Sequence, residues 1–112
     1  MSEMITDIED FEKLPREFSL SQNYPNPFNP MTVISYQLPV GGNVILKIYD
    51  ILGNEMSTLV DEYKPAGRYE VEFSAKGGSA SGGNASQLTS GVYFYTINAG
   101  SYIETKKMLL LK

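Results

Sequence analysis

From Thr32 onward, apolar residues recur at every second position. Thr32-Val33-Ile34-Ser35-Tyr36-Gln37-Leu38 sets Ile34, Tyr36 and Leu38 on one face, the period of a half-buried strand. Val44 to Asp50 repeats the pattern with Val44, Leu46 and Ile48 inward and Lys47 outward. Pro39-Val40-Gly41-Gly42-Asn43 supplies turn residues between the two, which predicts a hairpin. Glu55 to Tyr63 alternates more weakly after a Leu52-Gly53-Asn54 turn. Arg68 to Ser74 alternates cleanly, with Tyr69, Val71 and Phe73 inward and Arg68, Glu70 and Glu72 toward water, and Pro65-Ala66-Gly67 separates it from its predecessor. Gly91 to Ala99 and Ser101 to Leu111 form the last predicted pair, joined at Gly100. Gly67-Arg68-Tyr69 and Gly91-Val92-Tyr93 share a Gly-x-Tyr start, so the cleaner first copy fixes the register of the second: Tyr93, Tyr95 and Ile97 face inward, although Val92 and Phe94 make the other face apolar too.

About seven short strands with turn signals roughly every 8 to 12 residues predict an all-β fold, an immunoglobulin-like antiparallel β-sandwich. Gly-x-Tyr entering a late strand resembles the tyrosine corner of that fold. No helix longer than a turn is needed after residue 20. Residues 1–19 are acidic and carry Pro15, with Met4, Ile8 and Phe11 at helical spacing over too short a run to persist alone, so they are expected to form a linker or frayed helix. The domain is expected to occupy residues 20–112. Between the strands, Gly77 to Gly83 belongs to a Gly/Ser-rich tract with little side-chain surface to bury, expected as a surface loop that tolerates deletion. Asn84-Ala85-Ser86 matches a glycosylation sequon, a pattern too short to outweigh plain loop sequence.

Composition narrows the function. The 112 residues suffice for one domain core, and 42% of them are hydrophobic. Cys and His are both absent, which removes thiol nucleophiles, imidazole bases, Ser-His-Asp triads and the common zinc sets, and with them most hydrolytic enzymes. The net charge of −4 has the wrong sign for a phosphate backbone, so no nucleic-acid partner is expected. The longest uninterrupted apolar stretches, such as Met108 to Leu111, are far short of the ~20 residues of a transmembrane helix, so a membrane-spanning segment is not expected. Met1 to Asp7 lacks the basic region and apolar run of a signal peptide, so export, where it occurs, is expected to be signalled from elsewhere.

Few residues suggest chemistry. Carboxylates occur singly or as neighbours on solvated segments, where surface charge is the plainer explanation. Asp50, Asn54 and Asp61 offer oxygen ligands for Ca²⁺ but without the spacing of a ligand loop. The tyrosines at 36, 69, 93 and 95 fall on inward positions, so core filling outweighs a carbohydrate platform. No catalytic residue, cofactor or metal site is expected. The densest segment is Leu20-Ser21-Gln22-Asn23-Tyr24-Pro25-Asn26-Pro27-Phe28-Asn29-Pro30. Its prolines fix φ and delete amide donors, its Asn side chains cap turns, and Tyr24 and Phe28 are candidates to anchor a rigid segment on the sandwich edge.

That segment, with Tyr49-Asp50-Ile51-Leu52-Gly53-Asn54-Glu55, Ala66-Gly67-Arg68-Tyr69, Leu88-Thr89-Ser90-Gly91-Val92-Tyr93-Phe94-Tyr95 and the closing Lys106-Lys107-Met108-Leu109-Leu110-Leu111-Lys112, resembles the type A C-terminal sorting domain of the type IX secretion system. The family is similar in turn to the immunoglobulin-like domain of flagellar hook-capping proteins. One departure is the tract from Gly77 to Gly83, longer than the family's usual connection. The motif positions are Asn23, Tyr24, Pro25, Asn26, Pro27, Phe28, Asn29, Pro30, Gly53, Gly67, Tyr69, Gly91 and Tyr93. The resemblance implies a tail on a larger exported cargo, read by the translocon after passage through the periplasm. A sortase-like cysteine peptidase would then cut it off before Leu20, leaving the cargo at the cell surface or outside the cell.

Recognition by the translocon is expected to fall on the final strand: Gly100, Lys106, Lys107, Met108, Leu109, Leu110, Leu111 and Lys112. A strand at a sheet edge can offer its backbone by strand addition; flanking lysines that discourage aggregation are the plainer account of the same pattern. Met108 to Leu111 alternate faces, so half are expected to be buried, and deletion of Lys107 to Lys112 is expected to leave a folded, weakened sandwich. The alternative function is an immunoglobulin-like structural or adhesive module without signal activity.

Overall fold

The computed structural model describes residues 14–75 and 88–112. The expectations for residues 1–13, for the Gly77 to Gly83 tract and for Asn84 lie outside the described residues. The alternating segments become β1 (Ser19–Leu20), β2 (Met31–Leu38), β3 (Gly42–Tyr49), β4 (Glu55–Lys64), β5 (Gly67–Ser74), β6 (Gly91–Ala99) and β7 (Tyr102–Leu110). They form two antiparallel sheets, one ordered β1-β2-β5 and the other β4-β3-β6-β7. No helix occurs among the described residues, and the all-β sandwich is the fold the strand pattern predicts.

One hydrophobic core lies between the layers. Ile34, Tyr36 and Leu38 from β2 meet Val44, Leu46 and Ile48 from β3 and Tyr93, Tyr95 and Ile97 from β6, all buried. Full burial of such side chains stabilises by about 1.5 to 3 kcal/mol each, which makes this face the main determinant of register. Leu20, Phe28, Leu59, Ala75, Leu88, Ala99, Met108 and Leu110 join the same cluster from segments whose burial the alternation alone does not reveal.

The hairpin expected across the Pro39 to Asn43 turn is not formed: that turn carries the chain from one sheet to the other, so β2 pairs with β1 and β5 while β3 pairs with β4 and β6. The expectation for β5 is corrected in part. Tyr69 and Val71 face inward but are only half-buried, because β5 lies at the edge of its sheet and no strand closes over that side. Tyr69 stacks instead on Tyr36, its cross-strand partner, with ring centroids 5.3 Å apart. Strand β4 alternates weakly because its pairing with β3 shifts register twice, between Leu46 and Lys47 and between Ile48 and Tyr49; each extra residue breaks the period of two. The two-residue β1, too short to show a period, adds a third strand to the smaller sheet.

Both Gly-x-Tyr motifs are corners of the same design. Gly67 and Gly91 adopt φ of +156° and +152°, and the tyrosine two residues on reaches back four residues to the chain. Tyr69 Oη donates to Pro65 O at 2.6 Å. Tyr93 Oη donates to Thr89 O at 2.8 Å and accepts the Thr89 N–H at 3.1 Å.

Candidate functional site

Between β1 and β2 the proline-rich segment runs along the seam between the sheets. On the side of the smaller sheet, Tyr24 and Val33 exchange two backbone hydrogen bonds of 2.9 Å. The Tyr24 ring is 80% exposed, so Tyr24 binds through its backbone and Phe28 alone supplies the apolar anchor. Asn23 is the polar hub. Its N–H donates to Tyr95 Oη (2.8 Å), which donates to Ser21 O (2.7 Å). Its Nδ2 donates to Thr32 Oγ1 (3.0 Å) and Pro25 O (3.2 Å). Asn23 and Thr32 are nearly fully buried, and an interior amide needs such partners because an unsatisfied one would cost about 1 to 3 kcal/mol. Burial pushes the Tyr95 phenol up to about 12, which keeps it protonated as the donor.

On the other side the segment grips β7. Phe28 is fully buried, edge-on to Phe73 with centroids 6.1 Å apart. Its N–H donates to Leu109 O at 2.9 Å and its carbonyl accepts the Leu111 N–H at 3.1 Å, a parallel bridge to Leu110. Asn26 Oδ1 accepts the Leu109 N–H (3.0 Å), and Gln22 Nε2 donates to Lys107 O (2.7 Å). The opposite edge of the same stretch pairs with β6, from Phe94 against Lys107 to Gly91 against Leu110, and Lys112 N–H reaches Ser90 Oγ at 2.8 Å. A clasp of Gln22, Asn26 and Phe28 therefore covers the backbone edge that sequence pattern alone leaves open for strand addition. Met108 and Leu110 are fully buried and Leu109 and Leu111 are not, the half-burial that the alternation predicts.

The sequence-selected positions divide by the pleat. Gly100 turns β6 into β7 with φ +63°. Lys106 lies in the inward row at the open end of the sandwich, where its Nζ is 3.3 Å from Glu104. Tyr102 Oη donates to the same carboxylate, which holds Glu104 below the usual carboxylate range. Lys107, Leu109 and Leu111 form the outward row, the first and last exposed and Leu109 half-buried, with Lys112 exposed beyond them. Gly53, at φ +89°, completes the turn between β3 and β4. The Gly-x-Tyr pairs shape corners rather than a surface.

Gln22 is not singled out in the sequence, and Phe94 is marked there only as an apolar residue on the outer face. Gln22 is a partner of the terminal strand, 85 residues away, which no local pattern signals. Phe94 stands outward on β6 opposite Tyr49 and Lys107; an apolar side chain where alternation calls for a polar one was the available signal. The calcium candidates do not converge. Asp50 Oδ1 accepts the N–H groups of Leu52 (2.9 Å) and Asn54 (2.8 Å), and Oδ2 accepts Asn54 Nδ2 (3.1 Å), which holds the carboxyl below its usual range, with the Asn54 N–H as the main cause. Asp61 lies along β4 opposite Ile45. Among the described residues no group of three or more carboxylates is placed to hold a metal, and no helix is long and apolar enough to cross a membrane.

A family model described as "Secretion system C-terminal sorting domain" matches residues 22–111. Among solved structures, dimeric latent PorU from Porphyromonas gingivalis is similar over 87% of this chain and 10% of its own, with a TM-score of 0.58 and 17% identity. PorZ, a surface component of the type IX secretion system of the same organism, is similar over 85% of this chain and 11% of its own, with a TM-score of 0.52 and 18% identity. The chain thus spans about a tenth of either protein, and at these identities the likeness is one of fold. No curated protein matches it.

Proposed function

The chain belongs to the family of secretion system C-terminal sorting domains, and from that membership we propose that the translocon reads it through the outward row of its clasped strand: Lys107, Leu109 and Leu111, with Lys112 beyond. The domain is a sorting signal of the type IX secretion system, and such a signal implies export to the cell surface or the extracellular space. What remains to be assigned is the surface that is read. The clasp carries this proposal. With the backbone edge from Lys107 to Leu111 occupied on both sides, this stretch offers its outward side chains and not its amides. Met108 and Leu110 then act as anchors that fix the row on a rigid support, and Gly100 turns the chain into the strand, with Lys106 in its inward row. The signal works as a tag without chemistry of its own. It is continuous with a larger cargo and is removed by a sortase-like cysteine peptidase that cuts before Leu20.

The test is a fluorescent reporter fused ahead of the domain in a host with the type IX machinery. Leu109→Asp with Leu111→Asp should abolish surface delivery while the isolated domain melts within a few degrees of the parent. Delivery undiminished by the double change refutes recognition through this row. A parent fusion that is never redirected leaves the immunoglobulin-like structural module as the function.

A further inference from the structure

One face of the molecule breaks the rule for an antiparallel sheet with a solvated side. The outward positions of the larger sheet should be polar, as Thr96 and Thr105 are, with their hydroxyls 2.7 Å apart. Beside them the polarity fails. Tyr49 pairs with Phe94, Phe94 lies beside Val92 on the outward row of β6, and Val92 pairs with Leu109. At one end of this strip the turn after β3 projects Ile51 and Leu52, 69% and 83% exposed. At the other end lies Pro27 of the clasp, bordering a shallow hollow with Val92 and Leu109; a second hollow joins Tyr49 and Phe94 to the turn.

The exposed tip is held in place. Asp50 accepts three hydrogen bonds from Leu52 and Asn54, and Asp50 and Asn54 close the turn with a backbone bond of 2.9 Å. A partner that covers Leu52 therefore meets a preorganised group and bears little ordering cost. Charge on the strip is unevenly matched. Lys47 is paired with Glu55 at 3.0 Å, and the Asp50 carboxylate is taken up by its own turn. Lys107, opposite Phe94, has no carboxylate partner among the described residues. The strip's unmatched charge is thus positive, on a chain whose net charge is −4.

We infer that this strip, from Leu52 across Tyr49 and Phe94 to Val92 and Leu109, is one docking surface for a protein partner that presents an apolar patch with a carboxylate over Lys107. Charge complementarity selects the occupant: an apolar surface alone would bury Lys107 unpaired, a costly arrangement. A second copy's strip offers Lys107 only the Asp50 carboxylate, which its own turn already takes up, and Glu55, already paired with Lys47. An anionic membrane would be repelled by the chain's net charge. The inference rests on the outward row proposed above and extends it to two further motif segments, the turn after β3 and the start of β6.

The experiment uses the same reporter fusion with Leu52→Ser, Lys107→Glu and Lys107→Arg, and a photo-crosslinking residue at position 52 or, as control, at position 70 on the other sheet. Leu52→Ser and Lys107→Glu should each lower delivery about tenfold or more with unchanged melting, and Lys107→Arg should preserve it. Position 52 should give one protein adduct that position 70 does not and that Lys107→Glu removes. Changing the acidic residue mapped in that adduct to lysine should restore delivery of Lys107→Glu. Normal delivery of the Leu52 and Lys107 variants beside a failed Leu109→Asp, Leu111→Asp fusion overturns the strip and leaves the outward row standing. Normal delivery of all of them overturns both. Adducts to lipid or to a second copy, or a protein adduct indifferent to Lys107→Glu, overturn the assigned partner.

Discussion

Leu109 and Leu110 are chemically identical neighbours with opposite duties, and replacing each by alanine measures the difference. Leu110 is fully buried, with Gly91 of β6 against one edge of its backbone and Phe28 of the clasp against the other. A buried leucine cut to alanine costs about 2 to 5 kcal/mol, and the cost rises where the surroundings cannot close over the cavity. Walls held by hydrogen bonds on both sides place Leu110→Ala in the upper part of that range, about 3 to 5 kcal/mol. Leu109 faces outward and is half-buried, so Leu109→Ala should cost under about 1 kcal/mol. Urea unfolding followed by circular dichroism or tyrosine fluorescence, there being no Trp, should show the Leu110→Ala midpoint well below that of Leu109→Ala with similar slopes. Equal costs, or a Leu110→Ala cost under about 1 kcal/mol, would refute the clasped-strand description. The same reasoning changes how deletion of Lys107 to Lys112 is read. It strips Met108 and Leu110 from the core and leaves Phe28 without its strand, so loss of export after that deletion reports folding, while outward substitutions report recognition.

Two further outcomes follow from the tyrosines. Tyr69→Phe removes one corner hydrogen bond and Tyr93→Phe removes two; the loss should be about 1 kcal/mol or more at Tyr93, whose ring is buried and whose change strands the Thr89 N–H, and less at the half-exposed Tyr69, a ranking that equilibrium unfolding of the two variants checks. Burial pushes Tyr36 and Tyr95 up to about 12; because both pKa values are raised above their unfolded value near 10, their contribution to stability is complete below pH 10 and is lost as pH rises toward 12. Denaturation midpoints that stay flat from pH 9 to 12 would contradict this.

Strand positions and most of the core were legible because alternation is a local property, whereas sheet membership was not: β2 and β3 follow one another through a short turn yet lie in different sheets. Ile34, Leu46 and Ile97 announce their face within a few residues, and the shared Gly-x-Tyr spacing fixed β6 against β5. What escaped was set by distant chain. Tyr69 and Val71 carry the same pattern as Phe73, and only the position of β5 at a sheet edge leaves them half-covered. Tyr24 and Phe28 both looked like anchors, and the direction of the backbone between them, with Tyr24 tied to Val33 and Phe28 to Leu109 and Leu111, decides which ring enters the core. For the site, the terminal strand and its motif partners were identifiable by type and order, and the covering of its edge by Gln22, Asn26 and Phe28 was not, since no period links residues so far apart.

The clasp also has a kinetic meaning. Its contacts join positions 83 and 85 residues apart, and the Asn23–Tyr95 hub spans 72. Closing a loop of that size costs about 2 kcal/mol more in chain entropy than closing a ten-residue hairpin. The β3–β4 and β6–β7 hairpins can therefore assemble before it, and the seam is sewn last. Sandwiches dominated by such remote pairings fold on a scale of milliseconds to seconds. Until that last stitch, Phe28 and the end of β7 are not joined and the strand's outer edge stays open, so the surface a receptor would read is complete only as folding finishes.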